Sequence, residues 1–259
     1  MEFKLIRHAT TVIQMGGICL LVDPMLSPKG ALAPVPKSPR MRPNPLVELP
    51  MEDEKLDGWL RSMDAVLVTH THRDHFDDEA GRRIPKGMPI ICQPEDEDKF
   101  IRLGFTEVHP VIEEWVWKGI TISRTGGQHG TGVIGARMAP VSGFVLQTEK
   151  EPTVYIAGDT VWCPEVKKAL TAFHPDVIVV NAGAARFLLG GRITMSGCDI
   201  SRVAQQLPLA KIVAVHMEAF NHCLLTRQKL RDFTDQKVWS DFVYTPNDGE
   251  SISFLYENP

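Results

Sequence analysis

Long apolar runs are missing from this sequence, and no stretch approaches the roughly 20 residues of a membrane-spanning helix. Paired cysteines are missing too. The five that occur, Cys19, Cys92, Cys163, Cys198 and Cys223, are widely spaced and form no CxxC pair. They read as reduced, mostly buried thiols of a cytoplasmic protein rather than a disulfide framework. Runs of basic residues are also absent. The 28 Lys and Arg are scattered among 32 Asp and Glu, for a formal net charge of −4. That argues against a dedicated nucleic-acid surface. The N-terminal MEFKLIRHATTVIQMGG places Glu2, Lys4 and Arg7 within seven residues. No uninterrupted apolar core follows, so it does not read as a signal peptide.

The pattern predicts strands at Phe3–Ile6, Thr11–Met15 and Ile18–Val22, with Gly16-Gly17 turning between the last two. Ser27–Pro50 follows, with seven prolines and neither structural period. It reads as a long surface loop, a kind of segment that is often functional. Ala65–Thr69 and Pro89–Cys92 read as strands, Asp77–Arg83 and Pro94–Leu103 as helices, and Trp115–Ser123 as a hairpin. A glycine-rich loop, TGGQHGTG, spans Thr125–Gly132. Strands are then expected at Gly143–Gln147, Thr153–Ala157, Val177–Val180, Ile212–His216 and Ile252–Tyr256. Helices are expected at Pro164–Ala172, Cys198–Leu207 and Thr226–Thr234. Strands bunch early in each half and helices come later. Two sheets packed face to face with helices outside accommodate this order. The expectation is one domain over residues 1–259.

The chemistry concentrates in VTHTHRDH. His70, His72, Asp74 and His75 put four donors into six positions, directly after a strand. Alternate residues of an extended chain point the same way, so His70 and His72 can grip one divalent ion and Asp74 with His75 a second. Each group still needs ligands. His129 in the glycine-rich loop, Asp159 after a strand in AGDT, and His216 at the end of IVAVH can supply them. Taken singly each has a blander reading: a loop histidine, a turn aspartate, a core histidine. His222 competes with His216 for the ligand role. His109 and His174 stand alone and are set aside.

In this order these residues resemble the metallo-β-lactamase superfamily. LIRHATTVI followed by LLVDPML is similar to the branch of ascorbate-6-phosphate lactonase-like proteins and N-acylphosphatidylethanolamine phospholipase D. The resemblance implies an α/β fold, a four-layer αββα sandwich with metals at one edge between the sheets. It implies that His70, His72 and His129 hold one ion, that Asp74, His75 and His216 hold the other, and that Asp159 bridges them. It places Asp23 beside the metal loop, orienting a ligand histidine. The implied cofactor is two divalent ions, zinc first, with manganese or iron accepted by the same ligands.

The implied reaction is hydrolysis of a small ester, lactone or phosphodiester by a metal-bridged hydroxide. Two ions can lower the pKa of a shared water from 15.7 toward about 7. Asp74 would orient that nucleophile or handle its proton, and His222 would protonate a leaving group. His8 in RHATT and Asn221 would contact substrate. Arg186 and Arg192 are either attractors of an anionic substrate or solvated surface arginines. A nuclease of the same superfamily is the rival enzyme, but the chain shows no basic appendage. A diiron redox role would need an acid at His72 and a flavin domain. A non-catalytic metal sensor is the alternative from another class. The expected partner is a small molecule; a homo-oligomer is compatible with the sequence, and nothing in it specifies one.

Overall fold

The computed structural model describes residues 1–138 and 140–256. In chain order the strands are β1 (Glu2–Arg7), β2 (Thr10–Met15), β3 (Ile18–Val22), β4 (Ala65–Val68), β5 (Ile90–Cys92), β6 (Val108–Pro110), β7 (Glu114–Trp117), β8 (Ile120–Gly126), β9 (Ser142–Gln147), β10 (Val154–Ile156), β11 (Val177–Asn181), β12 (Lys211–Val215), β13 (Val243–Tyr244) and β14 (Ser251–Ser253). The helices are α1 (Asp53–Leu60), α2 (Asp78–Arg83), α3 (Glu97–Arg102), α4 (Gly132–Met138), α5 (Pro164–Phe173), α6 (Gly197–Gln206) and α7 (Arg227–Gln236).

The strands form two sheets of seven, ordered β14-β1-β2-β3-β4-β5-β6 and β13-β12-β11-β10-β9-β8-β7. Each sheet has an antiparallel half and a parallel half. β3 through β6 run parallel in one, and β10 through β13 in the other. Parallel strands covered on both faces read as unbroken apolar runs. AVLV of β4 is buried throughout, as is VIVVN of β11. The inner faces meet in one core that includes Leu5, Leu20, Leu67, Phe144, Val179 and Val213. Leu56, Leu60, Ala80 and Phe100 from α1, α2 and α3 cover the outside of the first sheet. Val166, Leu170, Ile200, Val203 and Leu230 from α5, α6 and α7 cover the outside of the second. The result is the expected αββα sandwich.

Departures from the sequence reading are local. The last strand ends at Ser253, short of the expected Tyr256. The short β6, β13, α1 and α4 carry too little periodicity to announce themselves. β8 runs on to Gly126, so the glycine-rich loop is shorter than read, and α4 begins at Gly132. Ser27–Pro50 has only one isolated bridge, Leu32 to Asn44, yet it is tied down. The fully buried Arg7 guanidinium donates to the carbonyls of Met25, Ser27 and Val47, joining both ends of the loop. Asp77, the N-cap of α2, also accepts from the Ser27 amide at 2.7 Å.

The parallel strands end on one side of the sandwich, and there the chain turns sharply. Gly158 follows β10 with φ +66°, and a Cβ on it would stand 2.6 Å from the Ser142 carbonyl oxygen. Only glycine permits both the left-handed backbone and that approach. Gly158→Ala is therefore expected to cost about 1–3 kcal/mol of stability. Urea unfolding would read this; an unchanged midpoint would mean that the turn relaxes freely.

Candidate metal centre

Most candidate ligands are carried just beyond a strand end, and Asp74 and His75 lie in the turn between β4 and α2. His70 and His72 follow β4, His129 follows β8, Asp159 follows β10 and His216 follows β12. A sheet fixes such positions to well under the reach of a side chain, which is what a ligand set requires. Three non-glycine site residues also have left-handed backbones: His8 (φ 61°), Asp23 (φ 45°) and His216 (φ 64°). Such strain costs of order 1–3 kcal/mol each and collects at functional sites.

The expected ligands converge in two groups, and His8 and Cys223 gather with His216 in a third. Ligand atoms of His70, His72 and His129 lie within 4.8 Å of one another, as do those of Asp74, His75, Asp159 and His216. His70 Nε2 faces His72 Nδ1 at 2.9 Å. Asp159 stands between the groups. Its Oδ2 lies 3.3 Å from His129 Nε2 and 4.0 Å from His70 Nε2. Its Oδ1 lies 3.3 Å from both His75 Nε2 and His216 Nε2. Asp74 Oδ2 sits 3.5 Å from His216 Nε2.

The rear of five of these candidate ligands is held, which fixes the atom each presents forward. Asp23 Oδ2 pairs with His75 Nδ1 at 2.8 Å. The same aspartate accepts from the Thr69 amide and hydroxyl, both at 2.7 Å. The Thr69 oxygen in turn lies 3.1 Å from His70 Nδ1. His129 Nδ1 donates to the Ile193 carbonyl at 2.7 Å. Asn181 at the end of β11 donates to Asp159 Oδ1 at 2.7 Å. His216 Nδ1 lies 3.5 Å from the buried Cys223 sulfur.

These residues fit divalent ions. His75 Nε2 and His216 Nε2 are fully buried and lack a hydrogen-bond partner among the described residues. Orphaned imidazole nitrogens are costly unless something accepts their lone pairs. Protonation follows the charges. Burial would raise Asp159, but His216, His75 and His129 hold its carboxyl well below the usual range. Burial would lower His75, but Asp159 and Asp23 outweigh it and push it up to about 10. His216 is raised against burial by Asp159 and Asp74. Protons on these two rings are what an incoming cation displaces. Burial depresses His129, and burial with neighbouring imidazoles depresses His70 further.

A cavity of about 320 Å³ opens over the two groups. His72, Asp74, His129 and His222 face it from below, while Leu32–Pro36, Met138, Phe187, Ile193 and Phe220 make its apolar walls. Three sequence expectations meet it differently. His222 lines the cavity, with Nε2 3.9 Å from Asp74 Oδ2. Burial pushes its pKa down to about 4, so the resting ring is neutral and has to take up a proton before it can deliver one to a leaving group. His8 does not line the cavity. It is fully buried, packs 3.7 Å from the His216 ring and stacks on Phe220, with Nε2 3.5 Å from Asp74 Oδ2. It supports the ligands from behind rather than touching substrate.

Asn221 also corrects the expectation of substrate contact. It is fully buried and its amide is spent on the proline-rich loop. Its Oδ1 accepts from the Val35 amide at 3.0 Å and Asn44 Nδ2 at 2.9 Å, and its Nδ2 donates to Ser38 Oγ and the Arg40 carbonyl. The sequence reading missed Thr69, Asn181 and Asn44. Asn181 was findable, as the lone polar residue closing the apolar run VIVV. Asn44 gives no local signal, because its partner is 177 residues away.

Residues 20–217 match the β-lactamase superfamily domain. The chain belongs to that family. Over 257 residues it is 39% identical to the UPF0173 protein YddR of Bacillus subtilis, covering 98% of this chain and 100% of that one. A possible metal-dependent hydrolase from Veillonella parvula superposes with TM-score 0.94 at 36% identity, covering 98% of this chain and 99% of the other. An isothiocyanate hydrolase from Delia radicum gut bacteria superposes with TM-score 0.92 at 40% identity, covering 98% and 100%. The chain is thus a β-lactamase superfamily enzyme of the metal-dependent hydrolase class with the metallo-β-lactamase fold.

The role of Asn221 is checked by removing it. Asn221→Ala removes the acceptor of the Val35 amide and of Asn44 Nδ2 and the donor to Ser38 Oγ and the Arg40 carbonyl, and should cost about 1–3 kcal/mol. It should also speed tryptic cleavage after Lys37 and Arg40 while the rest of the chain stays resistant. Unchanged cleavage would show that Arg7 alone holds the loop.

Proposed function

We propose that the protein hydrolyses a small, apolar electrophile at carbon, an isothiocyanate before an ester or lactone. The observation that carries this reading is the cavity. Its walls are aliphatic and aromatic, and Arg73 is the one cationic side chain among its lining residues. A nucleic-acid strand would need a row of cations along the walls to offset its phosphates, whereas aliphatic and aromatic walls suit an uncharged apolar substituent. The 40% identity with an isothiocyanate hydrolase supports the same substrate class.

Two divalent ions, zinc first, are proposed for the two groups, with Asp159 bridging. When bound, they supply Lewis acidity and lower the pKa of water from 15.7 toward about 7. The chain does the rest. The apolar walls hold the substituent and keep bulk water from the reacting carbon. Water adds across the C=N bond, leaving its oxygen on carbon and one proton on nitrogen; the C–N bond of this thiocarbamate then breaks as the remaining hydroxyl proton passes to nitrogen, giving a primary amine and carbonyl sulfide. Asp74 and His222 are the titratable pair on the cavity floor suited to moving that proton. Asp23, Asn181 and the Ile193 carbonyl keep the ligand atoms aimed forward.

Metal-loaded protein should consume benzyl and phenethyl isothiocyanate, read by amine release, with kcat/KM above that for a δ-lactone or bis-p-nitrophenyl phosphate. A preference for the phosphodiester would overturn the substrate class and leave the hydrolase intact.

Metal content separates the roles of individual residues. Saturated wild type should hold two ions per chain by elemental analysis. Asp159→Ala should lose affinity for both, and His216→Ala for one, each by at least roughly 10–100-fold. His222→Ala should keep both ions while kcat falls about 10²–10⁴-fold. Metal loss in His222→Ala with normal binding in His216→Ala would reverse the two assignments.

A further inference from the structure

The segments around the mouth of the cavity combine exposed apolar side chains with cations and no acids. Three segments frame it: the proline-rich loop, α4 and the loop 182–198. They touch one another, since the Leu188 amide donates to the Lys37 carbonyl at 2.6 Å and Gly190 lies against Ile134 with no room for a Cβ. Each supplies cavity walls, through Val35 and Pro36, Met138, and Phe187 and Ile193.

Large apolar side chains stand exposed on all three. Met41 is 63% exposed, Val133 70%, Leu188 59% and Leu189 83%. The same segments carry cations. Residues 28–47, 125–148 and 182–198 carry Lys29, Lys37, Arg40, Arg42, Arg137, Arg186 and Arg192, and not one of the chain's 32 acids. The basic residues that look scattered along the sequence are gathered by the fold. Arg186 and Arg192 even face each other across an isolated bridge, where like charges repel. Arg192 has Asp199 4.0 Å away, but Lys37, Arg40, Arg42, Arg137 and Arg186 have no carboxylate partner among the described residues.

We infer that this face docks on an anionic lipid bilayer, mouth toward the membrane. Exposed leucines, a methionine and a valine ringed by unpaired cations match an interface with acyl chains below and negative headgroups around. The other occupants fit less well. A second copy meeting the same face would set these cations against their own duplicates, because a two-fold contact is isologous. A nucleic-acid strand would satisfy the cations but leave the leucines against phosphate and sugar. Docking would open the cavity toward the phase in which small apolar molecules concentrate. The inference rests on surface charge and exposure alone and holds whichever electrophile is hydrolysed.

The test is co-sedimentation of the full chain with vesicles of phosphatidylcholine, alone or mixed with phosphatidylglycerol. The chain should partition onto the mixed vesicles, weakly or not at all onto the neutral ones, and less as salt rises. Arg186→Ser with Arg192→Ser should weaken partitioning by roughly fivefold per cation removed. Leu188→Ser with Leu189→Ser should also weaken it. Leu209→Ser, at another exposed leucine far from the mouth, should leave it unchanged; circular dichroism and metal content confirm that each variant is folded. No partitioning onto the anionic vesicles, or equal loss in Leu209→Ser, would overturn the inference. So would a concentration-dependent dimer that the paired leucine substitutions abolish, which would assign the face to a second copy.

Discussion

A carboxylate with no exposed surface to speak of needs partners on both oxygens, and Asp159 finds them on opposite sides. His129 and His70 face Oδ2, while His75, His216 and the Asn181 amide face Oδ1. Burying that charge alone would cost several kcal/mol. The surrounding imidazoles hold it ionised instead, well below its usual range. The rest of the site is arranged around this constraint. Gly158 allows the turn that delivers the aspartate, and the ends of β4, β8 and β12 deliver the rings. Asp23 and Thr69 set the angle of two of those rings from behind.

The same logic of distant anchoring shapes the cavity. A loop as long as Ser27–Pro50 would ordinarily be mobile. Here Arg7 fixes its base and Asn221 its crown. The anchors sit close to the metal groups in sequence, Arg7 beside His8 and Asn221 beside His222. One rigid unit therefore holds ligands on one side and substrate walls on the other. That coupling makes a small cavity over the two candidate ligand groups instead of an open groove, and it limits the size of molecule that reaches them.

Much of this was legible beforehand, for identifiable reasons. The apolar runs of β4, β11 and β12 stand out because both of their faces are buried. HxHxDH stands out because four donors share six positions. His129, Asp159 and His216 are single residues, found because each follows a strand. The reading failed where long-range contacts decide. Asn221 and His8 sit near ligands in the sequence, which suggested substrate contact, yet the fold turns both away from the cavity. His222 reads from the sequence as a ready proton donor, whereas burial keeps its resting ring neutral, so it has to accept a proton first. α1 and α4 are too short to show a period, and the cationic rim is assembled from three separate segments.

The account stands on one carboxylate joining two ligand groups. Anomalous diffraction from crystals loaded with manganese tests it most directly. Two peaks are predicted, roughly 3.5–4 Å apart as in other two-metal sites. One should lie among His70, His72 and His129, the other among Asp74, His75 and His216, with one oxygen of Asp159 on each. A single peak at full loading, or two peaks with Asp159 turned away from either, would contradict it.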